Sequence, residues 1–497
     1  MAALQARPPR AADWLPEAPP ELAVGDLTLD SRHARPGVAF LALAGSRGHG
    51  LAHAADAIAR GAAAVLHDAA AQLPAPLEAA ARQRGVALVP VARLEEQAGS
   101  LVSRFFGDPA ATLPVVGVTG TDGKTSVTHF IAQCLQAEPR PGALLGTLGV
   151  GRPGRLRETG LTTPDLVSVH RHLAALRAEG AGSVAMEVSS HALHQGRVRG
   201  VRFAVAVLTN LSRDHLDYHG TPEDYAEAKA RLFVTPGLGC AVLNLDDPFG
   251  RRLQASLAPG VGRIGYRLGP GAGATLHCAD IQAEAGGLRL ALRGPGRDAE
   301  LRAGLLGRFN AANVLACLGA LLGLGLDWEA ALARAGRISA VPGRMESFGG
   351  AAQPTVVVDY AHTPAALAAA LAAMREHFAG RLWCVFGCGG DRDPGKRPEM
   401  GAAAADGADA LVVTSDNPRN EAPEVILDQI LDGVPAGTDA RRLPDRAAAI
   451  AHAVARARPG DAVLVAGKGH ETEQVIGSRR LPFSDRDQVR HALEARG

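Results

Sequence analysis

Short apolar runs alternate with helical patterns through the middle of the chain. The runs are "VVGVTG" from Val115, "SVAMEVSS" from Ser183, "FAVAVLTN" from Phe203 and "CAVLNLDD" from Cys240. An apolar run of four to eight residues followed by a helical segment is typical of a βαβ unit. This part of the chain therefore predicts a mainly parallel sheet flanked by helices.

The C-terminal part shows the same alternation. Its apolar runs are "TVVVDY", "LWCVFG", "ALVVTS" and "AVLVAG", and they are separated by helical segments such as "PAALAAALAAMREHF". Thr363 is a suitable cap for that helix, and Pro364 suits its first position. We predict a second, doubly wound sheet, and in such sheets ligands bind beyond the carboxyl ends of the strands.

The N-terminal part forms a third block. It contains the strand-like run "GVAFLAL" and the Ala-rich helical pattern "LAHAADAIARG", and it closes at "FFGDPA". A chain of 497 residues is too long for one ordinary core. We therefore predict an α/β protein of three domains, at residues 1–108, 109–340 and 341–497, in which the central domain is of the P-loop type and the C-terminal one is Rossmann-like.

Composition and charge exclude several classes of function. The 52 Lys and Arg residues balance 51 Asp and Glu, so the net charge of +1 supplies no field to hold nucleic acid or an anionic membrane. No apolar run approaches the roughly 20 residues of a membrane span, and the first residues resemble no signal peptide. The six cysteines form no disulfide framework. Cys384 and Cys388 could be a metal pair or small core residues, and the second alternative is favoured because no other pair partners them. A cytoplasmic protein is expected.

The most informative motif is a glycine-rich turn between a strand and a helix, "VVGVTGTDGKTSVTHF". Backbone N–H groups of such a turn can surround phosphate oxygens, and the helix N-terminus favours negative charge. Lys124 can reach the β- and γ-phosphates, and Thr125 or Ser126 can bind Mg²⁺. The glycine spacing is shifted by one residue from the common loop, because Val118 occupies the expected glycine position. A plain glycine turn with an incidental lysine is the weaker alternative.

This loop resembles that of the Mur ligases and of the related folylpolyglutamate synthetases, which are ATP-dependent enzymes that form amide bonds. The resemblance implies ATP as co-substrate and bound Mg²⁺. It also implies that Lys229, in "YAEAKARLF", is carbamylated and holds a metal ion together with His215, in "LTNLSRDHLDYHG". Glu187, at the end of "SVAME", is a suitable oxygen ligand. From spacing alone, Lys229 would be a solvated helix lysine, Glu187 a surface charge, and His215 and His219 capping or core histidines.

The resemblance extends to the remaining ATP contacts. It implies that Asn313 contacts the adenine, that Arg344 reaches the phosphates and that Asp359 lies near the ribose and phosphates, with His362 close by. The predicted ATP-binding set is Gly120, Thr121, Asp122, Gly123, Lys124, Thr125, Ser126, Asn310, Asn313, Arg344 and Asp359. The predicted catalytic residues are Lys124, Lys229 and His215, and the predicted metal ligands are Thr125, Glu187, His215 and Lys229.

The N-terminal "LTLDSRHARPGVAFLALAGSRGHG" resembles the uridine-diphosphate site of the Mur ligases that add the third peptide residue. By this resemblance, threonines, a serine and an arginine in "LTTPD" and "EVSSHALHQGRVRG" hold the sugar-linked dipeptide. The predicted set is Leu29, Ser31, Ser46, Arg47, Gly48, Thr162, Thr163, Ser189, Gln195 and Arg197. Leu161 stands where the family often has asparagine, which places one contact in doubt.

The stretch "DNPR" from Asp416 resembles the diaminopimelate-adding group of these ligases rather than the lysine-adding group. A guanidinium at Arg419 can bind the remote carboxylate of meso-diaminopimelate through two parallel bonds, whereas L-lysine would present an ammonium there. Arg392 would support the same carboxylate, and Gly467 and Glu471 would take the distal amine. The predicted acceptor set is Arg392, Asp416, Asn417, Pro418, Arg419, Gly467 and Glu471.

Three classes of function remain open at this stage. The first is a monomeric ligase that adds meso-diaminopimelate to UDP-N-acetylmuramoyl-L-alanyl-D-glutamate through an acyl phosphate. The second is a related ligase with another acceptor, such as L-lysine, D-alanyl-D-alanine or a polyglutamate chain. The third is a non-catalytic nucleotide-binding module, against which the presence of Lys124, Glu187 and Lys229 argues.

Overall fold

Parallel strands covered by helices make up most of the protein. The computed structural model describes residues 11–45, 48–136, 139–269 and 271–496. The chain divides into two units, one formed by residues 1–266 with 316–327 and the other by residues 267–315 with 328–497. The α/β class predicted from the sequence is confirmed.

The first unit begins with a small four-stranded sheet. Its elements, in chain order, are α1 Ala11–Trp14, β1 Asp26–Thr28, β2 Val38–Leu41, β3 Ala44–Gly45, β4 Gly48–His49, α2 Ala54–Ala59, β5 Ala64–Asp68, α3 Ala75–Arg84, β6 Ala87–Val91 and α4 Leu94–Phe105, with short 3-10 helices at Ser31–His33, Gly50–His53 and Pro109–Ala111. The parallel sheet has the order β1-β2-β5-β6, and β3 and β4 form a separate hairpin. Trp14 packs edge-on against Phe105, with 5.0 Å between ring centroids, inside this core.

The larger sheet of the first unit carries the glycine-rich turn. Its elements are β7 Val115–Thr119, α5 Lys124–Cys134, β8 Gly142–Gly146, β9 Gly149–Arg152, β10 Arg155–Arg157, α6 Leu166–Ala178, β11 Ser183–Glu187, α7 Ser190–His194, β12 Phe203–Leu208, α8 Leu216–His219, α9 Pro222–Ala230, β13 Cys240–Asn244, α10 Pro248–Ser256 and β14 Gly262–Leu268, with a 3-10 helix at Arg231–Val234. β7 lies between β11 and β12, parallel to both. The carboxyl ends of these three buried strands therefore meet at one edge of the sheet, which is where ligands bind in such folds.

The second unit begins with an antiparallel meander that the sequence pattern did not predict. The next elements along the chain are β15 Leu276–Glu284, β16 Gly287–Arg293, β17 Asp298–Ala303, α11 Phe309–Gly323, of which residues 309–315 belong to this unit, and α12 Trp328–Ala335. β15 pairs with β16 and β16 with β17, both antiparallel. The alternation of exposed and buried residues in these strands is typical of a sheet with one solvated face.

The rest of the second unit is a six-stranded sheet covered on both faces. Its elements are β18 Glu346–Gly349, β19 Thr355–Asp359, α13 Pro364–His377, β20 Leu382–Phe386, α14 Lys396–Gly407, β21 Ala410–Val413, α15 Pro423–Leu431, β22 Ala440–Arg442, α16 Arg446–Arg456, β23 Ala462–Ala466, β24 Glu473–Ile476, β25 Arg479–Pro482 and α17 Asp485–Glu494. The strand order is β18-β19-β23-β20-β21-β22, in which only β18 is antiparallel, and β24 pairs with β25 in a hairpin.

Alternate residues of these strands enter two different cores. Val357 packs with residues of α13, α14 and α15, while its neighbours Val356 and Val358 pack with residues of α16 and α17. Successive side chains of a strand point to opposite faces, so apolar residues at every position require helices on both sides. The doubly wound C-terminal sheet is thereby confirmed. Within the described residues, no helix is long and apolar enough to cross a membrane.

Candidate active site

The glycine-rich turn after β7 is held in shape by the end of β12. Thr121 N donates to Asn210 O at 3.0 Å and Asp122 N donates to Asn210 Oδ1 at 2.9 Å. Gly120 has a φ of 150°, and a Cβ at this position would lie 1.8 Å from Thr209 Oγ1. Only glycine fits there, so the turn is fixed before any ligand arrives.

Two lysines meet at one carbonyl of this turn. Lys124 Nζ donates to Gly120 O at 2.9 Å and to Thr121 O at 2.7 Å, and Lys229 Nζ donates to Gly120 O at 2.7 Å. Lys229 is buried on α9, and its nitrogen lies 4.4 Å from the centroid of the Tyr225 ring. Burial, and then the positive charge of Lys124, lower the pKa of Lys229 well below its ordinary value. A solvated helix lysine, the alternative from spacing alone, is thus wrong for Lys229.

Glu187 is a buried carboxylate at the end of β11, not a surface charge. Thr125 Oγ1 donates to its Oε2 at 2.9 Å, and Thr147 donates through its backbone N at 2.8 Å and its hydroxyl at 3.2 Å. Burial raises the pKa of Glu187, against the lowering effect of these hydrogen bonds and of Lys124. A buried carboxylate beside a threonine hydroxyl at a helix N-terminus fits a hard cation such as Mg²⁺. A Cβ at Gly146 would lie 2.3 Å from Glu187 Oε1, so a small residue is needed there.

The predicted dipeptide contacts adjoin Glu187. Thr162 Oγ1 lies 3.0 Å from Thr147 Oγ1, and Thr163 Oγ1 donates to Glu187 O at 2.8 Å. Ser189 caps α7, and its N donates to Thr163 Oγ1 at 3.2 Å. Arg197 donates to Thr163 O at 2.8 Å and to Gln195 Oε1 at 2.9 Å through Nε. The structure therefore brings all five of these residues to one site beside the end of β11.

His215 lies in a cluster of aromatic rings after β12. It has a φ of 51°, precedes α8 and is half exposed, with Nε2 3.3 Å from Asp214 Oδ2. Its ring lies 4.8 Å from that of His191 and 6.2 Å from that of Tyr225, the ring that Lys229 also contacts. His219 instead meets Ser190 Oγ at 3.0 Å. Among the described residues, no group of three or more His, Cys, Asp and Glu could hold a metal ion.

The predicted uridine-diphosphate residues lie in the first sheet. Asp30 accepts hydrogen bonds from the Arg32 side chain, which hold its pKa at about 2, and it caps the 3-10 helix that begins at Ser31. Ser31 is buried, Leu29 packs on the domain core, and Gly48 lies in β4. Ser46 and Arg47 lie outside the described residues, and their predicted role is untested.

The remaining predicted ATP contacts belong to the second unit. Asp359 accepts from Met345 N and Ala361 N, both at 2.8 Å, and burial raises its pKa. These bonds fix the backbone beside Arg344, whose guanidinium lies 4.4 Å from the centroid of the Tyr360 ring. His362 lies nearby, with its ring 4.7 Å from that of Tyr360.

The two predicted asparagines lie in the first turns of α11. Asn310 Nδ2 donates to Leu306 O at 2.8 Å, and Asn313 Nδ2 donates to Asn310 Oδ1 at 2.9 Å. Both side chains are buried. The two residues form one hydrogen-bonded chain at the start of the helix.

Most of the predicted acceptor residues lie just beyond the ends of β21 and β23. Arg419 Nη1 donates to Gly390 O at 2.6 Å, and its backbone, with a φ of 50°, bonds to Val475 and Gly477 of the β24–β25 hairpin. Asn417 Nδ2 donates to Glu471 Oε2 at 2.9 Å. Asp416 Oδ1 accepts from Asn417 N, and Arg392 is exposed on the loop after β20.

The sequence analysis missed several residues that organise these sites. Lys468 is fully buried and donates to Glu471 Oε2 at 2.8 Å and to Asn417 Oδ1 at 3.1 Å. Burial opposes ionisation of Glu471, but the Lys468 hydrogen bond and charge lower its pKa. Lys468 could have been found, since it stands between Gly467 and Glu471 in the sequence. Thr147 offered no such signal, because 40 residues separate it from Glu187. Cys384 and Cys388 are buried thiols in the core of the C-terminal sheet.

Comparison with known proteins gives matches along most of the chain. Three family profiles match: the Mur ligase family, catalytic domain, at residues 24–105, the Mur ligase middle domain at residues 118–321, and the Mur ligase, glutamate ligase domain, at residues 343–469. A protein of Alkalilimnicola ehrlichii named UDP-N-acetylmuramoyl-L-alanyl-D-glutamate--2,6-diaminopimelate ligase is 55% identical over 472 residues, which is 95% of each chain. The Pseudomonas aeruginosa protein of the same name is 49% identical over 97% of each chain.

Solved structures agree with these matches. A structure of UDP-N-acetylmuramoyl-L-alanyl-D-glutamate--2,6-diaminopimelate ligase superposes with a TM-score of 0.75 at 35% identity, covering 98% of this chain and 99% of its own. The MurF ligase of Thermotoga maritima, solved in complex with ADP, has a TM-score of 0.59 at 18% identity over 95% of this chain and 98% of its own, which shows a shared fold.

Proposed function

This chain belongs to the Mur ligase family, and from that premise we propose that it joins meso-diaminopimelate to UDP-N-acetylmuramoyl-L-alanyl-D-glutamate at the expense of ATP. The product is a tripeptide precursor of peptidoglycan. One observation carries the choice of acceptor: the loop at Asp416–Arg419 bears both the Arg419 guanidinium, which donates to Gly390 O at 2.6 Å, and the Asn417 amide, which donates to the Glu471 carboxylate at 2.9 Å. A ligand with a remote carboxylate and an amine matches that pairing.

The reaction begins with the substrate carboxylate, which is too poor an electrophile to react with an amine directly. Its oxygen attacks the γ-phosphorus of ATP, the bond from that phosphorus to the ADP oxygen breaks, and an acyl phosphate forms. Lys124 and the N–H groups at the start of α5 supply positive potential where charge develops on the phosphate oxygens. Thr162, Thr163 and Arg197 are suited to holding the dipeptide so that its carboxylate faces the γ-phosphate.

The second step forms the amide bond. The neutral amine of the acceptor attacks the acyl carbon, the tetrahedral intermediate releases phosphate, and the nitrogen loses a proton. No side chain acts as a nucleophile, so the residues of this chain contribute by positioning and by electrostatics. Arg419 and Glu471 orient the distal end of the acceptor.

We further propose that Thr125, Glu187, His215 and a carbamylated Lys229 hold Mg²⁺, which supplies charge neutralisation at the phosphates. Burial supports the modification of Lys229, because an amine kept neutral can attack CO₂ to form a carbamate with loss of a proton. The carbamate would replace a cation beside Lys124 by an anion. It would also add oxygen ligands to those of Glu187 and Thr125.

The proposal also covers the location of the enzyme and the residues that bind each part of the substrates. ATP and a UDP-linked precursor are water-soluble compounds of the cytoplasm, and we place the enzyme there, as a monomer without nucleic-acid partners. The substrate's uridine diphosphate is assigned to Leu29, Ser31 and Gly48, together with Ser46 and Arg47. Adenosine is assigned to Asn310 and Asn313, and the ATP phosphates to Arg344 and Asp359.

The decisive experiment measures ADP release from ATP with the UDP-linked dipeptide. Meso-diaminopimelate, L-lysine and D-alanyl-D-alanine are offered one at a time, each at the same range of concentrations. We expect turnover with meso-diaminopimelate and at least a hundredfold lower kcat/KM with L-lysine. Equal turnover with L-lysine would refute the role of Arg419, and no turnover with any amine would refute the ligase proposal.

A further inference from the structure

Arg446 is a fully buried arginine to which the proposed reaction gives no role. It is the first residue of α16, and its side chain and that of Asp485 are both completely buried. A buried ion pair stabilises a fold only weakly, because removing two charges from water offsets most of their attraction. The position of this pair therefore calls for another explanation.

The guanidinium bonds to three different segments: the start of α17, the loop after β21 and the last residue of β23. Nε and Nη2 each donate to a carboxylate oxygen of Asp485 at 2.7 Å. Nη2 also donates to Ala466 O at 2.9 Å, and Nη1 donates to Ser415 O at 3.3 Å. One planar group thus holds a carboxylate on one side and two backbone carbonyls on the other.

Both carbonyls directly precede residues of the proposed acceptor site. Ser415 precedes Asp416 at the end of β21, and Ala466 precedes Gly467 at the end of β23. β20 lies between those two strands, so no ladder of hydrogen bonds joins their ends. Side chains connect the two ends instead: Arg446 bonds to the carbonyls of Ser415 and Ala466, and Lys468 bonds to Asn417.

The ends of β21 and β23 are packed closely enough to restrict their movement. Gly467 has a φ of 116°, and a Cβ there would lie 2.9 Å from Asp416 Oδ2. Asp416 Oδ1 also fixes the backbone of Asn417, which in turn holds Glu471. A shift of either strand end would therefore be transmitted to both charged ends of the acceptor site.

We propose that Arg446 is a positioning residue for the acceptor amino acid: it sets the spacing between the ends of β21 and β23, and Asp485 holds its guanidinium in register. This inference rests on the proposed function, since it concerns the acceptor of that reaction. It predicts that disturbing Arg446 weakens acceptor binding while leaving ATP binding intact.

The test compares wild-type enzyme with Arg446→Lys and with the double variant Arg446→Met, Asp485→Met. Lysine keeps the positive charge, but its single nitrogen cannot reproduce the four bonds that the three guanidinium nitrogens make in one plane, and the methionine pair removes both charges without leaving either one unpaired. The KM values for meso-diaminopimelate and ATP, kcat and the urea midpoint of unfolding are measured for each. Arg375→Met is the control, because Arg375 pairs with Asp409 at 2.7 Å beside the opposite, amino-terminal ends of β20 and β21.

We expect both Arg446 variants to raise the KM for meso-diaminopimelate at least about tenfold, with less than a twofold change in the KM for ATP. The Arg375 control should leave the KM for the amino acid unchanged. A purely structural pair would give a double variant with wild-type KM, or would raise both KM values in proportion to lost stability, and either result would overturn the proposal. Should the double variant not fold, Arg446→Lys decides alone. Wild-type enzyme that fails to turn over would instead count against the proposed function.

Discussion

Replacing Arg419 by glycine or by alanine separates backbone strain from ligand binding at one position. Arg419 has a φ of 50°, in the left-handed region that residues with a Cβ rarely adopt. Its N donates to Val475 O at 3.0 Å and its O accepts from Gly477 N at 2.6 Å, so the β24–β25 hairpin holds the residue in that conformation. Both substitutions remove the guanidinium, but only glycine also relieves the strain.

The difference in stability between the two variants follows from this conformation. A left-handed residue with a Cβ is strained by about 1–2 kcal/mol. Glycine has greater conformational freedom than alanine in the unfolded chain, which lowers the stability of the folded protein by roughly 0.5–1 kcal/mol and offsets part of the relieved strain. The midpoints of these two ranges leave the glycine variant about 0.75 kcal/mol more stable than the alanine variant.

Both variants should lose acceptor binding to the same extent. Removing one partner of a hydrogen-bonded charge pair costs about 2–5 kcal/mol. We therefore expect kcat/KM for meso-diaminopimelate to fall roughly 30-fold or more in each variant. The KM for ATP should stay near its wild-type value.

The assay combines urea unfolding, monitored by circular dichroism, with ADP release at varied amino acid. The reasoning would fail if alanine were as stable as glycine, because the backbone at Arg419 would then carry no strain. It would also fail if either variant kept the wild-type kcat/KM for meso-diaminopimelate.

Three further results are expected at the phosphate end of the site. Lys229→Ala should lose most activity in the ADP-release assay, and short carboxylic acids should partly restore that activity by replacing the carbamate. A wild-type rate of ADP release without added carboxylic acid would contradict a metal-binding role for Lys229. Burial raises the pKa of Glu187, so ionisation of this carboxyl destabilises the metal-free protein as the pH rises through that raised pKa. Urea unfolding in the presence of a chelator should therefore show Glu187→Gln to be more stable than wild type at pH 8 and equally stable near pH 4. A Glu187→Gln variant less stable than wild type at pH 8 would contradict the burial argument. Gly120→Ala should abolish ATP binding in calorimetry, since its Cβ would meet Thr209 Oγ1 at 1.8 Å, and unchanged affinity would show that the turn can rearrange.

The parts of the site that sequence patterns predicted are those whose residues are close along the chain. The glycine-rich turn, the strand before it and the helix after it occupy adjacent positions, so their order alone indicates a phosphate-binding turn. Glu187 was predicted because it ends an apolar run. The alternation of such runs with helical segments also predicted the doubly wound C-terminal sheet.

The residues that sequence analysis missed act over long separations. Arg446 reaches Ser415 across 31 residues and Asp485 across 39, and nothing in its helical surroundings marks it as buried. The β15–β17 meander was missed because its strands contain many exposed charges, which resemble loop or helix positions. In each case the deciding contact is tertiary, and local propensity does not encode it.

Uncharged residues hold the loop at Asp416–Arg419 in shape. Asn417 uses its amide to hold Glu471 and to accept from Lys468 and Val475 N. Pro418 O approaches the neighbouring loop so closely that a Cβ at Gly390 would lie 1.9 Å from it. These contacts fix where Arg419 and Glu471 stand before the acceptor binds. In the proposed reaction, discrimination against lysine would depend on a rigid spacing between the Arg419 guanidinium and the Glu471 carboxylate, because a flexible arginine could turn away from the ammonium and lose little.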